Sequence, residues 1–258
     1  MIDKDRIIEL WRKVNRPGVN SLIGYLEESD FFTAPSSRDH HLAKMGGLAE
    51  HSLNVFDMLV EKCNRFSQLP GMPFFPYESI VICGLGHDFC KINYFKEGGE
   101  PAQGRQLSWA KELITKYAPY FNQEALNAVL MAKIATYPGT GPGHIDISEN
   151  IPKEHAGLII EWLKNGYVKQ EPPVFPVTWS YDDKAPFGHG EKSVIILQQF
   201  IKLELFEALA IRWHMGAWDI SDTYGRWSYN EAVKVHPMVT LLHLADMEAT
   251  HIIEREKQ

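Results

Sequence analysis

The stretch from Ile80 to Ile92, IVICGLGHDFCKI, constrains this chain more than any other. Its apolar run continues into His87 without period-2 alternation, so Ile80 to Gly86 reads as a helix buried all round despite a β-branched start. The run delivers a consecutive His87-Asp88 pair, with Lys91 shortly after. A neutral imidazole nitrogen beside an anionic carboxylate oxygen makes a metal-binding dipeptide, because both ligate transition ions.

Around that element the spacing is helical. Ile7, Trp11 and Val14 repeat over residues 4–15 until Pro17-Gly18 breaks the period, and Ser21 to Glu28 reads as a second short helix. From Gly47 to Cys63 the stripe is Leu48, Ser52, Val55 and Leu59, with His51 beside it. Further helices are expected over Gln106–Tyr117, Glu124–Tyr137 and Glu154–Lys164, with a Gly- and Pro-rich connector from Pro138 to Pro152. Residues 168–186 carry four prolines and are expected to form a short β-hairpin or an extended flap. Ser193 to His214 reads as one long helix, Asp219 to Ser228 as a loop, and Pro237 opens the last helix. The stripe of that last helix runs Val239, Leu242, Asp246, Ala249 and Ile253. The expectation is an all-α chain of 258 residues in one domain, with irregular loops and that flap.

Composition narrows the function classes. A formal net charge of −7 offers no broad basic face for long nucleic acid. It leaves room for an anionic substrate, since bound divalent cations supply positive charge locally. Cys63, Cys83 and Cys90 contain no CxxC pair, which points to a reducing compartment without disulfides. The N-terminal MIDKDRIIELWRKV lacks a long apolar core and no run reaches a membrane span. A cytoplasmic protein is expected, with no membrane partner.

Asp246 stands on the apolar stripe of a helix, where an unpaired carboxylate costs several kcal/mol. A metal, a salt bridge or partial exposure must compensate it. Taken singly, the histidines have ordinary readings. His51 is a helix histidine with satisfied partners. His189, between Gly188 and Gly190, marks a turn with Ser193 near a helix N-cap. His214, before Gly216, complements a helix C-terminus. Together they form an ordered series, H…HD…H…H…D.

That series resembles the HD superfamily of metal-dependent phosphohydrolases, an α-helical core named for the motif seen here as His87-Asp88. The match covers about residues 40–255, with helices over 4–30 packed on it. Its elements are His40-His41 through His51-Ser52, His87-Asp88 with Lys91, Gly188-His189, His214 to Gly216, and Leu242 to Asp246. The resemblance implies an HD-domain helical bundle with two divalent transition-metal ions. His51, His87, Asp88 and Asp246 would hold one, and Asp88 would bridge to a second held by His189 and His214. Met215 replaces a second histidine of the cyclic-dinucleotide branch, and no GYP sequence follows, which argues against that substrate. Cys90 stands where HDxGK proteins have glycine.

Imidazole and carboxylate ligands without thiolate suit Mn, Fe, Co, Ni or Zn better than Mg alone. The expected reaction is hydrolysis of a phosphoester or phosphoanhydride in a nucleotide or another small phosphorylated metabolite. Asp88 and Lys91 are the candidate catalytic groups. Lys91, His40, His41, Lys192 and Arg212 are the candidate substrate contacts, each of the basic ones having a solvated side chain as its ordinary reading. Two alternatives remain open: a di-iron HD-fold oxygenase, and a nucleotide-binding HD module without catalysis. His144, His155, His236, His243 and His251 are assigned to structure or surface.

Overall fold

The computed structural model describes residues 3–98, 109, 112–113, 116, 134–136, 145–147, 153–164 and 177–255. Among these the chain is mainly helical, as its periodicity implies. The helices are α1 (Lys4–Arg12), α2 (Val19–Glu28), α3 (Gly47–Phe66), α4 (Tyr77–Gly86), α5 (Lys153–Lys164), α6 (His189–Gln198), α7 (Leu205–Arg212), α8 (Thr223–Val235) and α9 (Met238–Glu248). Short strands are β1 (Phe95–Glu97), β2 (Ile134–Thr136), β3 (Ile145–Ile147) and β4 (Trp179–Tyr181). No helix among the described residues is long and apolar enough to cross a membrane. The chain divides into two compact units, Met1–Phe95 with Tyr181–Gln258, and Lys96–Ser180.

In the first unit α3 packs on α4 and α9, α9 also lies against α7, and α6 packs on α7. Helix α4 is buried at every position from Ser79 to Gly86. A helix apolar all round has no face to give to water, so it takes the middle of the unit. Phe89, one residue past Asp88, is fully buried against the rings of Trp11 (5.9 Å) and Phe31 (5.6 Å, edge-on). That aromatic cluster fixes the backbone carrying the His87-Asp88 pair.

The expected long helix over Ser193–His214 is two helices, α6 and α7, separated at 199–204. A distant side chain holds that break, together with the local cap that opens the second helix. The Arg16 guanidinium donates to the Lys202 carbonyl at 2.9 Å and to both carboxylate oxygens of Glu207 at 2.6 and 2.7 Å. Glu207 is fully buried, and only such a bidentate, charge-assisted pair offsets its desolvation. The new helix starts at Glu204, whose backbone N–H donates to the Glu207 side chain at 2.8 Å.

Other expectations are corrected too. Tyr224, Arg226 and Trp227 lie on α8 rather than in a loop, because the Asp222 side chain caps the helix by accepting from the Gly225 N–H at 2.6 Å. The last stripe fails at its end: Ala249–Ile253 is a π-turn, which adds a residue per turn and rotates the residues after it. Ile253 is consequently 51% exposed, while Glu254 turns inward and is 8% exposed.

In the second unit β2 pairs antiparallel with β3, matching Ile134 with Ile147, Ala135 with Asp146 and Thr136 with Ile145. The end of the helix expected over Glu124–Tyr137 is therefore strand, as is part of the expected connector, because β-branched residues alternate there. The rest of that helix lies outside the described residues. Of the helix expected over Gln106–Tyr117, the described positions Trp109, Glu112, Leu113 and Lys116 are helical. Helix α5 buries Ala156, Ile159, Ile160 and Trp162. Strand β4 pairs with β1, not within a local hairpin, and Gly98 donates to the Thr178 carbonyl at 2.9 Å. Residues 168–176 lie outside the described residues.

Candidate metal centre

The centre belongs to the first unit. His87 and His214 arrive by the same local device. Each follows the end of a helix, α4 or α7, and each Nδ1–H donates to a carbonyl three residues back, Gly84 (2.9 Å) or Ile211 (2.7 Å). Carbonyls of a last helical turn have no intrahelical partner, so they are free to fix an imidazole. A carbonyl only accepts, so Nδ1 carries the proton and Nε2 presents its lone pair. His51, on α3, is held likewise: its Nδ1 lies 2.9 Å from Oε1 of Glu254.

Two close helix approaches bring these elements together. A β-carbon at Gly84 would stand 2.7 Å from Cα of Phe56, so glycine lets α4 meet α3 and draws His87 to His51. One at Gly190 would stand 2.1 Å from the Arg212 carbonyl oxygen, so glycine lets α6 meet α7. The rings of His189 and His214 are then 5.2 Å apart.

All six residues of the ordered series meet. The Nε2 of His51 lies 3.3 Å from Nε2 of His87, 3.3 Å from Oδ1 of Asp246 and 3.5 Å from Oδ2 of Asp88. Oδ1 of Asp88 faces the other side, 2.8 Å from Nε2 of His189 and 3.5 Å from Nε2 of His214. His214 Nε2 is buried with no hydrogen-bond partner. Overlapping sets of these residues put ligand atoms within 4.8 Å of one another, among them His51–His87–Asp246 and His87–Asp88–His214. An orphaned lone pair, three tautomers fixed to present Nε2, and two buried carboxylates form a donor set that fits a divalent transition ion.

The electrostatics carry the same sign. Burial alone would lower the His51 imidazolium, but hydrogen bonds to Asp246 and Glu254 override it and raise the pKa to about 9. Burial lowers His87 to about 3, so it stays neutral. Burial would raise Asp88, yet Lys91 and His87 hold it well below the usual carboxylate range. Asp246 is held low against burial chiefly by His51. Lys91, whose Nζ lies 2.6 Å from Oδ2 of Asp88, has its own pKa raised by that carboxylate in spite of burial.

A cavity of about 860 Å³ opens onto the centre, lined among others by His40, His41, Lys91, Trp218, His251 and Arg255. His41 projects toward His51, with ring centroids 4.9 Å apart. Its loop is tied by the Ser36 N–H to the Leu42 carbonyl at 3.1 Å, and Leu42 is held at φ +48°, a costly conformation for leucine. Lys192 and Arg212 do not line the cavity. Lys192 pairs with Asp183 at 2.5 Å, and Arg212 pairs with Glu191 and Asp219. Of the remaining histidines, His243 supports the site by donating from Nδ1 to the His214 carbonyl at 2.6 Å. His236 stacks on Phe206, His251 is exposed at the cavity, His155 lies on α5, and His144 is outside the described residues.

Glu254 is the residue that sequence reasoning missed. It is eight positions past Asp246, a helical repeat, but only the π-turn aims it at His51. Replacing Glu254 by glutamine is expected to weaken metal retention by about 10–100-fold, the usual cost of losing a partner that orients a ligand. Competition against a chelator measures it.

Compared with protein-family models, with curated proteins and with solved structures, the chain matches none.

Proposed function

We propose that this chain is a metal-dependent phosphohydrolase of the HD type, acting on a nucleotide or another small phosphorylated metabolite. The single observation that carries the reading is the convergence of four histidines with Asp88 and Asp246, of which His51, His189 and the two carboxylates line an open cavity while His87 and His214 lie buried behind it. Two divalent ions would be held, one by His51, His87 and Asp246 with Asp88, the other by His189 and His214 with Asp88. Bound cations supply the positive charge that stabilises a phosphoryl group and activates an attacking water.

The chain's own residues do the positioning. Asp88 spans both halves of the centre, and Lys91 fixes its Oδ2 while lining the cavity, so one ammonium serves the carboxylate and a phosphate oxygen. His40 and His41 stand at the wall for substrate contact. The cavity volume lies within the range of small-molecule sites, which suits a mononucleotide-sized ligand.

The test is metal analysis of the purified protein with a screen of phosphomonoesters, phosphodiesters and nucleotides. Expected is product release that a chelator abolishes and Mn or Co restores. Bound iron with dioxygen consumption and no phosphate release would replace this reading by the oxygenase one. Tight nucleotide binding without turnover would replace it by the sensor one.

A further inference from the structure

We propose that Cys90 is a fourth ligand in the outer half of the centre, so that Asp88, Cys90, His189 and His214 form a thiolate-containing cation position. The inference rests on the metal-centre reading above and adds a donor that the six-residue series lacks. Cys63 and Cys83 are also buried, but both belong to the hydrophobic core, and neither joins a ligand cluster among the described residues. Cys90 is 4% exposed and stands outside that core. Its Sγ lies 3.5 Å from both ring nitrogens of His189 and 3.9 Å from Oδ1 of Asp88. Its backbone is fixed, since the Cys90 N–H donates to Oγ of Ser193 at 3.0 Å.

A buried thiol beside an imidazole is not by itself a site. The second observation is His214, 0% exposed, whose Nε2 has no hydrogen-bond partner and lies 3.5 Å from the same Asp88 oxygen. Three donors thus face Oδ1 of Asp88. With metal–sulfur bonds of about 2.3 Å and metal–nitrogen or –oxygen bonds of about 2.1 Å, a tetrahedron has edges of roughly 3.4–3.6 Å. Four of the six separations, those joining Asp88 to Cys90, His189 and His214 and joining Cys90 to His189, run from 2.8 to 3.9 Å and bracket those edges; His214 lies farther from Cys90 and His189, so its ring must swing toward them for all four to hold one ion.

On binding, the S–H bond breaks, a sulfur–metal bond forms and the proton leaves to solvent; no oxidant or reductant is needed. Sulfur makes the outer position softer than the inner one of His51, His87 and Asp246. It therefore favours Zn, Fe(II) or Co over Mg and Mn.

The test is cobalt titration of metal-free protein. Wild type should show visible ligand-field bands together with a near-ultraviolet sulfur-to-cobalt charge-transfer band. In Cys90→Ser the charge-transfer band should disappear while ligand-field bands remain. As a check that needs no variant, X-ray absorption of the zinc-loaded wild type should show a sulfur neighbour at about 2.3 Å. Ligand-field bands without charge transfer, a charge-transfer band that survives in Cys90→Ser, or a nitrogen- and oxygen-only zinc shell would each overturn the inference and leave the metal centre standing. No cobalt or zinc uptake at all would overturn both.

Discussion

Asp88→Asn is expected to abolish metal-dependent turnover, lowering it by about 10³-fold or more, while the helical fold persists. The magnitude follows from two steps. Metal-derived charge stabilisation is worth several kcal/mol, and each 1.36 kcal/mol is a factor of ten. Asparagine keeps the volume of the side chain but removes the only carboxylate that faces both His51–His87 and His189–His214 among the described residues. It also leaves the Lys91 ammonium without its 2.6 Å partner. The backbone should hold, because Phe89 anchors it among Trp11 and Phe31. Turnover, metal content and far-ultraviolet circular dichroism on one sample decide the matter. A variant that keeps its metal and its rate would remove Asp88 from the centre.

Gly190→Ala should place a damaging methyl group beside the outer half of the centre. Its β-carbon would fall 2.1 Å from the Arg212 carbonyl oxygen, a backbone atom that cannot rotate aside. Helices α6 and α7 would have to separate by more than an ångström to restore ordinary contact. Overpacking of this kind costs typically about 1–3 kcal/mol. At about 2–4 °C per kcal/mol for a domain of this size, the melting temperature should fall by roughly 2–12 °C. The functional cost should exceed the thermal one, because the same separation pulls His189 from His214, whose rings are 5.2 Å apart. The variant should retain fewer equivalents of metal than wild type. Full metal content at an unchanged melting temperature would mean that this approach does not set the outer half of the centre.

The sequence was most legible where structure is local. Helix α4 was readable as buried all round because an apolar run with no polar stripe has one place to go. The starts of α3 and α9 followed from periodicity, and the ordered histidines and aspartates marked which helix ends to watch. Interruptions from outside were not readable: the gap between α6 and α7 is met by Arg16, almost two hundred residues away in sequence. The charges of Lys192 and Arg212 read more readily as solvated than as substrate contacts, and they are met instead by Asp183, Glu191 and Asp219.

By itself the sequence determined a mainly helical chain, since spacing along one helix is fixed by its pitch; the six residues were named only through the resemblance that their order carries. Only the tertiary structure decided that Glu254 turns in, that Cys90 stands beside His189, and that one nitrogen of His214 is left without a partner. Those facts depend on a π-turn and on how closely α6 approaches α7. Distances between elements are set by packing, which no local period encodes.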